Sequence, residues 1–144
     1  MSGRACILHS LAMAAALAPL ASCSQGPKAA LHPVRGQVFV AGKPAVGASV
    51  VFHPRPAGPE SLRPSGVVGE DGSFTLGTYA PGDGAPAGEY DVAIAWFGDR
   101  TRADPKTGEV PLQLSPQYAD PTTSRLRATV KEGPNEIPAF KLAK

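Results

Sequence analysis

The chain has 144 residues, with sixteen glycines and sixteen prolines, 42% hydrophobic residues, 6% aromatics and a formal charge of +2. So many scattered prolines exclude a helical bundle, since each one inside a helix costs about 3 kcal/mol. The hydrophobic fraction excludes wholesale disorder, and the small net charge excludes nucleic-acid binding through a dominant basic face. What is left is one small, turn-rich β domain.

Arg4 precedes residues 5–21, of which 14 are apolar, and a basic start followed by a short apolar run is the pattern of a secretory signal. Interrupted by His9, Ser10 and Pro19, the run is short of the roughly 20 residues a bilayer span needs. It ends in Leu20-Ala21-Ser22-Cys23, which resembles a bacterial lipobox. The resemblance implies a signal peptide over residues 1–22, cleavage before Cys23, and a diacylglyceryl thioether on that cysteine. The expected partner is therefore the membrane, reached through lipid on Cys23. Cys6 leaves with the signal, so Cys23 becomes the sole thiol of the mature chain. Capped as a thioether, it is no liability in an oxidising export compartment. Ser24 stands where, by family analogy, an Asp favours inner-membrane retention, so the expected location is the outer membrane or surface of the bacterial envelope. Residues 23–33 read as the lipidated cysteine and a flexible tether with a reach of roughly 17–19 Å.

From Val34 onward the period is two. Val34, Gly36, Val38 and Val40 alternate with Arg35, Gln37 and Phe39 as in a half-buried strand. Ala41-Gly42-Lys43-Pro44 reads as a turn, and Ala48, Val50 and Phe52 share one face of a second strand that Pro54 and Pro56 are expected to end. Residues 67–70 and 73–78 flank Asp71-Gly72, a dipeptide suited to a type I′ hairpin. After a loop at 79–87, Tyr90, Val92, Ile94 and Trp96 fall on one strand face. Leu126, Ala128 and Val130 follow as inward positions, with Arg125, Arg127 and Lys131 outward, and Phe140 and Leu142 mark a last strand. Seven short strands in residues 34–144 predict an all-β fold, a seven-stranded antiparallel β-sandwich.

Three stretches carry a family resemblance. Val38-Phe39-Val40-Ala41-Gly42-Lys43-Pro44 with Ala48-Ser49-Val50-Val51-Phe52 resembles the opening hairpin of carboxypeptidase-regulatory-like, transthyretin-like domains. Gly88-Glu89-Tyr90 followed by Val92 resembles their G-x-Y-x-V strand entry. Leu114-Ser115-Pro116-Gln117-Tyr118-Ala119-Asp120-Pro121, with Ser124, Gly133 and Asn135, is similar to the closing segments of small planctomycete-type surface lipoproteins carrying such a domain. The resemblance covers most of residues 34–143. It departs at Ser115, where the family runs Leu directly into Pro, and at Arg125, where it often has Gly. It implies a prealbumin-like sandwich of Ig-like architecture acting as an accessory, non-enzymatic module at the cell surface. The enzymatic relatives end in Tyr-Arg-Gly-Ser with catalytic histidines, whereas this chain ends Phe140-Lys141-Leu142-Ala143-Lys144.

Chemistry-bearing residues are sparse. His32 and His53 survive processing, in the tether and at the end of the second strand, without the spacing of a metal site and without a G-x-S-x-G elbow. No metal, cofactor or catalytic residue is expected. Asp71, Asp83 and Glu89 lack calcium-loop spacing. Lys43 and Asn135 lack the strand positions for a self-formed isopeptide, with Asn135 read as a residue tolerant of left-handed backbone. The connection 98–124 is long enough to carry function. Tyr118 within it, and Tyr79 and Asp83 in the 79–87 loop, are the candidate ligand-binding residues. Arg100 with Arg102 and Arg125 with Arg127 are outward pairs that either attract anionic surface polymers or blunt a strand edge. The leading expectation is a non-catalytic binding or structural module with an envelope protein or glycan as partner. The runner-up is a carbohydrate- or peptide-binding module using residues 98–124, and a hydrolase comes third.

Overall fold

The computed structural model describes residues 28–98 and 103–144. Over these the chain forms nine strands in two sheets rather than the seven strands expected. They are β1 (Val34–Val40), β2 (Lys43–Pro44), β3 (Ser49–Arg55), β4 (Ser65–Val67), β5 (Ser73–Thr75), β6 (Gly88–Ala95), β7 (Leu126–Val130), β8 (Asn135–Glu136) and β9 (Phe140–Leu142). A 3-10 turn covers Pro116–Ala119, and the described residues contain no α-helix. The signal peptide, Cys23, the start of the tether and the pair Arg100 and Arg102 lie outside the described residues.

β1 is the centre of the first sheet, antiparallel to β2 and β5 and parallel to β8 and β9. Its alternate backbone groups serve opposite edges. The Val38 N–H donates to the Gly72 carbonyl at 2.8 Å on the β5 side, whereas the Ala41 N–H donates to the Leu142 carbonyl at 2.9 Å on the other. The second sheet is antiparallel, in the order β4-β3-β6-β7. The parallel closing strands correct the expectation of antiparallel pairing throughout. After β7 the chain crosses back to the first sheet, then runs beside β1 in the same direction. Asn135 fastens that crossing: its Oδ1 accepts the Lys131 N–H, and its Nδ2 donates to the carbonyls of Lys131 and Gly133, all at 2.8 Å. The left-handed residue there is Gly133, at φ +89°, so the reading of Asn135 as the left-handed position is also corrected.

Alternation in the strands buries one face of each sheet in a shared core. Val34, Val38 and Val40 of β1 meet Val50 and Phe52 of β3, and Tyr90, Val92 and Ile94 of β6. Aromatic contacts bind the layers: Phe52 meets Phe74 edge-on at 6.4 Å between centroids, and Phe74 stacks on Phe140 at 6.5 Å and 15°. Gly36 explains its own place in β1. It pairs with Phe74, and a Cβ on it would lie 2.5 Å from Phe74 Cζ, so only a bare backbone lets that ring lie across β1.

Two local expectations change. β3 continues through Pro54 to Arg55, because the even positions of β3 turn their backbone groups toward β4, as in the Phe52 N–H to Pro64 carbonyl bond of 2.8 Å. The donor missing from Pro54 faces beyond the end of β4, so nothing in the ladder to β6 is lost. The type I′ turn is at Ala41-Gly42, with φ +49° and +77°, and not at Asp71-Gly72, where only Gly72 is left-handed at φ +83°. There the Gly72 N–H donates to the Gly69 carbonyl, and the Gly69 N–H to that of Ser73, giving a three-residue loop with a glycine bulge. β4 and β5 splay into different sheets beyond it and meet again where Ser65 and Gly77 exchange two 2.9 Å bonds.

Gly36→Ala is expected to cost about 1–3 kcal/mol, since the Phe74 ring must leave its place. Ala41→Asn is expected to gain up to about 1 kcal/mol by relieving left-handed strain. Urea denaturation of the two variants measures both.

Candidate functional site

Tyr79 and Asp83 share the loop between β5 and β6, and the fold uses both. Asp83 folds back under the loop, its Oδ1 accepting the Thr78 N–H at 2.6 Å and its Oδ2 those of Tyr79 and Ala80 at 3.1 and 2.8 Å. Those bonds, led by the one from Thr78, hold its carboxyl below the usual 3.8. The Tyr79 hydroxyl accepts the Ala29 N–H at 3.1 Å, and Lys28 Nζ lies 5.2 Å from its ring centroid, a cation–π contact. Tyr79 thus ties down the segment entering the domain. It also lines an open cleft of about 480 Å³ at the seam between β4 and β5.

Tyr118 is elsewhere. It lies in the 3-10 turn, half-buried against the core, its N–H donating to the Ser115 carbonyl at 3.1 Å. Because this turn packs on β6, Ala93 is buried although it faces away from the core. Tyr118 lines a separate depression of about 810 Å³ with Gln117, Asp120 and Arg125. The structure therefore joins Tyr79 to Asp83 and does not join either to Tyr118.

The described part of the 98–124 connection is largely tied down. Phe97 pairs with Leu112, and Asp104 accepts the N–H groups of Lys106 and Thr107 at 2.7 and 3.2 Å. Asp120 Oδ1 accepts the Thr122 hydroxyl at 2.7 Å and its N–H at 2.8 Å, contacts that hold its carboxyl below the ordinary 3.8. Ser124 is the buried polar side chain of the segment, donating to the Val92 carbonyl at 2.6 Å. Arg125 follows at φ +58°, a left-handed backbone shape natural to glycine.

The histidines are apart. His32 exchanges 2.9 Å backbone bonds with Ala85, and its Nδ1 accepts the Gly133 N–H at 3.0 Å, so paired structure already begins at His32 within the segment read as tether. His53 lies opposite Asp91, which lies opposite Arg127 in the next strand. Burial, then Arg63, pushes His53 below 6.5, against the pull of Asp91 and Asp120. Among the described residues no three His, Cys, Asp or Glu side chains converge as metal ligands, and no helix is long and apolar enough to cross a membrane.

Sequence reading did not join Arg55 to Arg125 and Arg127. The three line one cleft of about 480 Å³ with Asp91, Pro121 and Thr122. Strand parity put Arg127 outward; the order β3-β6-β7 is what brings it beside Arg55.

Because the folded His53 binds its proton more weakly than the unfolded chain, its contribution to stability is whole above pH 6.5 and is lost as pH falls through the lower folded value. Asp71, Asp83 and Asp120 act likewise below 3.8. Urea midpoints measured from pH 7 to 3 are expected to fall in two stages. His53→Gln removes the first, and Asp83→Ala lowers the midpoint at pH 7 while shrinking the second. Compared with known protein families and with curated proteins, the chain matches none.

Proposed function

We propose that this chain is an exported lipoprotein held at the bacterial outer membrane or cell surface by lipid on Cys23. Residues 34–144 then act as a non-catalytic binding or structural module. On this reading the two sheets are a transthyretin-like β-sandwich whose seven principal strands are those of three residues or more, β2 and β8 being two-residue additions.

The observation that carries the reading is the lipobox-like Leu20-Ala21-Ser22-Cys23 ending an apolar run, nine residues before the first paired residue, His32. A short tether of this kind suits a domain carried just clear of the headgroups. The polar side chains supply support for a non-catalytic role. Asp71, Asp83, Asp120, Ser124 and Asn135 are engaged in bracing turns and crossings. Orientation follows from strand direction: β1 runs away from the tether, so the Ala41-Gly42 turn is at the far end. Trp96, which donates to the Val46 carbonyl at 2.9 Å, brings the start of the 98–124 connection to that end too.

Mass spectrometry of the intact protein from the membrane fraction is expected to find a chain beginning at Cys23 with added acyl mass. Cys23→Ser is expected to retain residues 1–22 and lack the lipid. A wild-type chain cleaved with an unmodified Cys23, or one retaining Met1, overturns the proposal.

A further inference from the structure

The outer face of the second sheet gathers three arginines, with Asp91 in their cleft and Asp120 beside Arg125 in the adjoining depression. Arg55 at the end of β3, Arg127 in β7 and Arg125 just before β7 line one cleft, walled by Pro121 and Thr122. Asp91 of β6 is the single carboxylate lining it. One oxygen of Asp91 serves two of the arginines, at 3.3 Å from Arg55 Nη1 and 3.6 Å from Arg127 Nε. Both distances exceed the 2.7–2.9 Å or so of a tight charge-assisted bond. Each guanidinium carries about five donors, so most of this capacity is unspent. Glu89 lies opposite Arg55 in the ladder, yet it makes no ion pair within 4 Å among the described residues, and neither does Arg125.

Arg125 adds an independent observation. At φ +58° an L-residue pays about 1–2 kcal/mol that glycine does not. Nothing in the packing requires an arginine at this exposed position. Backbone strain kept at a charged residue beside two others is a mark of use. The frame is also rigid: Asp91 and Arg127 are ladder partners, and Asp120 braces Thr122 through two bonds.

We infer that the Arg55–Arg125–Arg127 cleft binds a phosphate group, three planar forks surrounding a tetrahedral oxyanion whose several oxygens exceed what a carboxylate offers them. This deepens the reading of the domain as a binding module and rests on it for the phosphate's source, a membrane headgroup or a soluble ester. Asp91 holds Arg55 and Arg127 near each other while the cleft is empty and weakens binding by its charge.

The test is NMR of the full chain labelled with ¹⁵N-arginine, following the Nε–H signals of Arg55, Arg125 and Arg127 as inorganic phosphate is added at low ionic strength. Saturable shifts of these three are expected, with a dissociation constant on the order of 1 mM. Arg125→Gly suits the left-handed backbone, so it is expected to fold at least as stably as the parent while binding about tenfold more weakly. Asp91→Asn is expected to bind several-fold more tightly. Glucose 6-phosphate and phosphatidylglycerol vesicles, added in separate titrations, tell a soluble ester from a headgroup by which one moves the same three signals. Shifts spread over all arginines without saturation, or a folded Arg125→Gly variant with unchanged affinity, overturn the inference. Neither result bears on the mass of Cys23, so the two proposals fail separately.

Discussion

The ring of Phe74 lies where the two sheets meet, and most of the domain is arranged around it. It reaches across β1 over Gly36 to stack on Phe140, and it meets Phe52 of the opposite sheet in a T-shaped pair. Phe52 in turn packs on Tyr90 at 5.5 Å between centroids. Four aromatic rings on β5, β9, β3 and β6 thus form one continuous contact through the core. Each fully buried ring of this size is worth about 1.5–3 kcal/mol of apolar transfer, and the paired geometry adds to it. A chain with few aromatics concentrates them here.

That contact explains why the connections are elaborate and the faces plain. With the layers held by packing, the segments crossing between them need only satisfy their backbone groups, and they do so with short polar side chains. Asp83 gathers three N–H groups, Asp120 braces its own turn, and Asn135 closes the return to β1. Most of these bonds lie at the exposed surface, where they fix the shape of the turns and leave the side chains little freedom. The acidic residues that look chemically available in the sequence are for this reason mostly structural, and the hydrogen bonds they accept hold the carboxyls of Asp71, Asp83 and Asp120 below their ordinary pKa.

The outer face of the second sheet differs. Across β3, β6 and β7 run His53, Asp91 and Arg127, with Arg55 and Arg125 on either side. β7 is an edge strand, and charge along an edge resists pairing with another chain. Edge protection needs outward charge alone. It does not call for three guanidiniums in one cleft, nor for a strained backbone under one of them, and that excess marks the place as a site.

Much of the architecture was legible in the residues. Period-two burial identified β1, β6 and β7 and their inward residues, because one buried face imposes alternation wherever a strand lies on a core. The lipobox-like segment is likewise a local pattern of the sequence, and it lies outside the described residues. Three things were settled only by tertiary structure. Pro54 stays within β3 because the partner strand on its donor side has already ended. The last strands pair parallel to β1, a long-range choice made by the crossing at residues 131–135 and invisible in local periodicity. The arginine cleft exists because β3, β6 and β7 lie side by side, so residues some 70 positions apart in the chain share one wall. Local sequence dictates which face of a strand is buried; which strands are neighbours, and hence which outward side chains meet, is decided by how the layers close around Phe74.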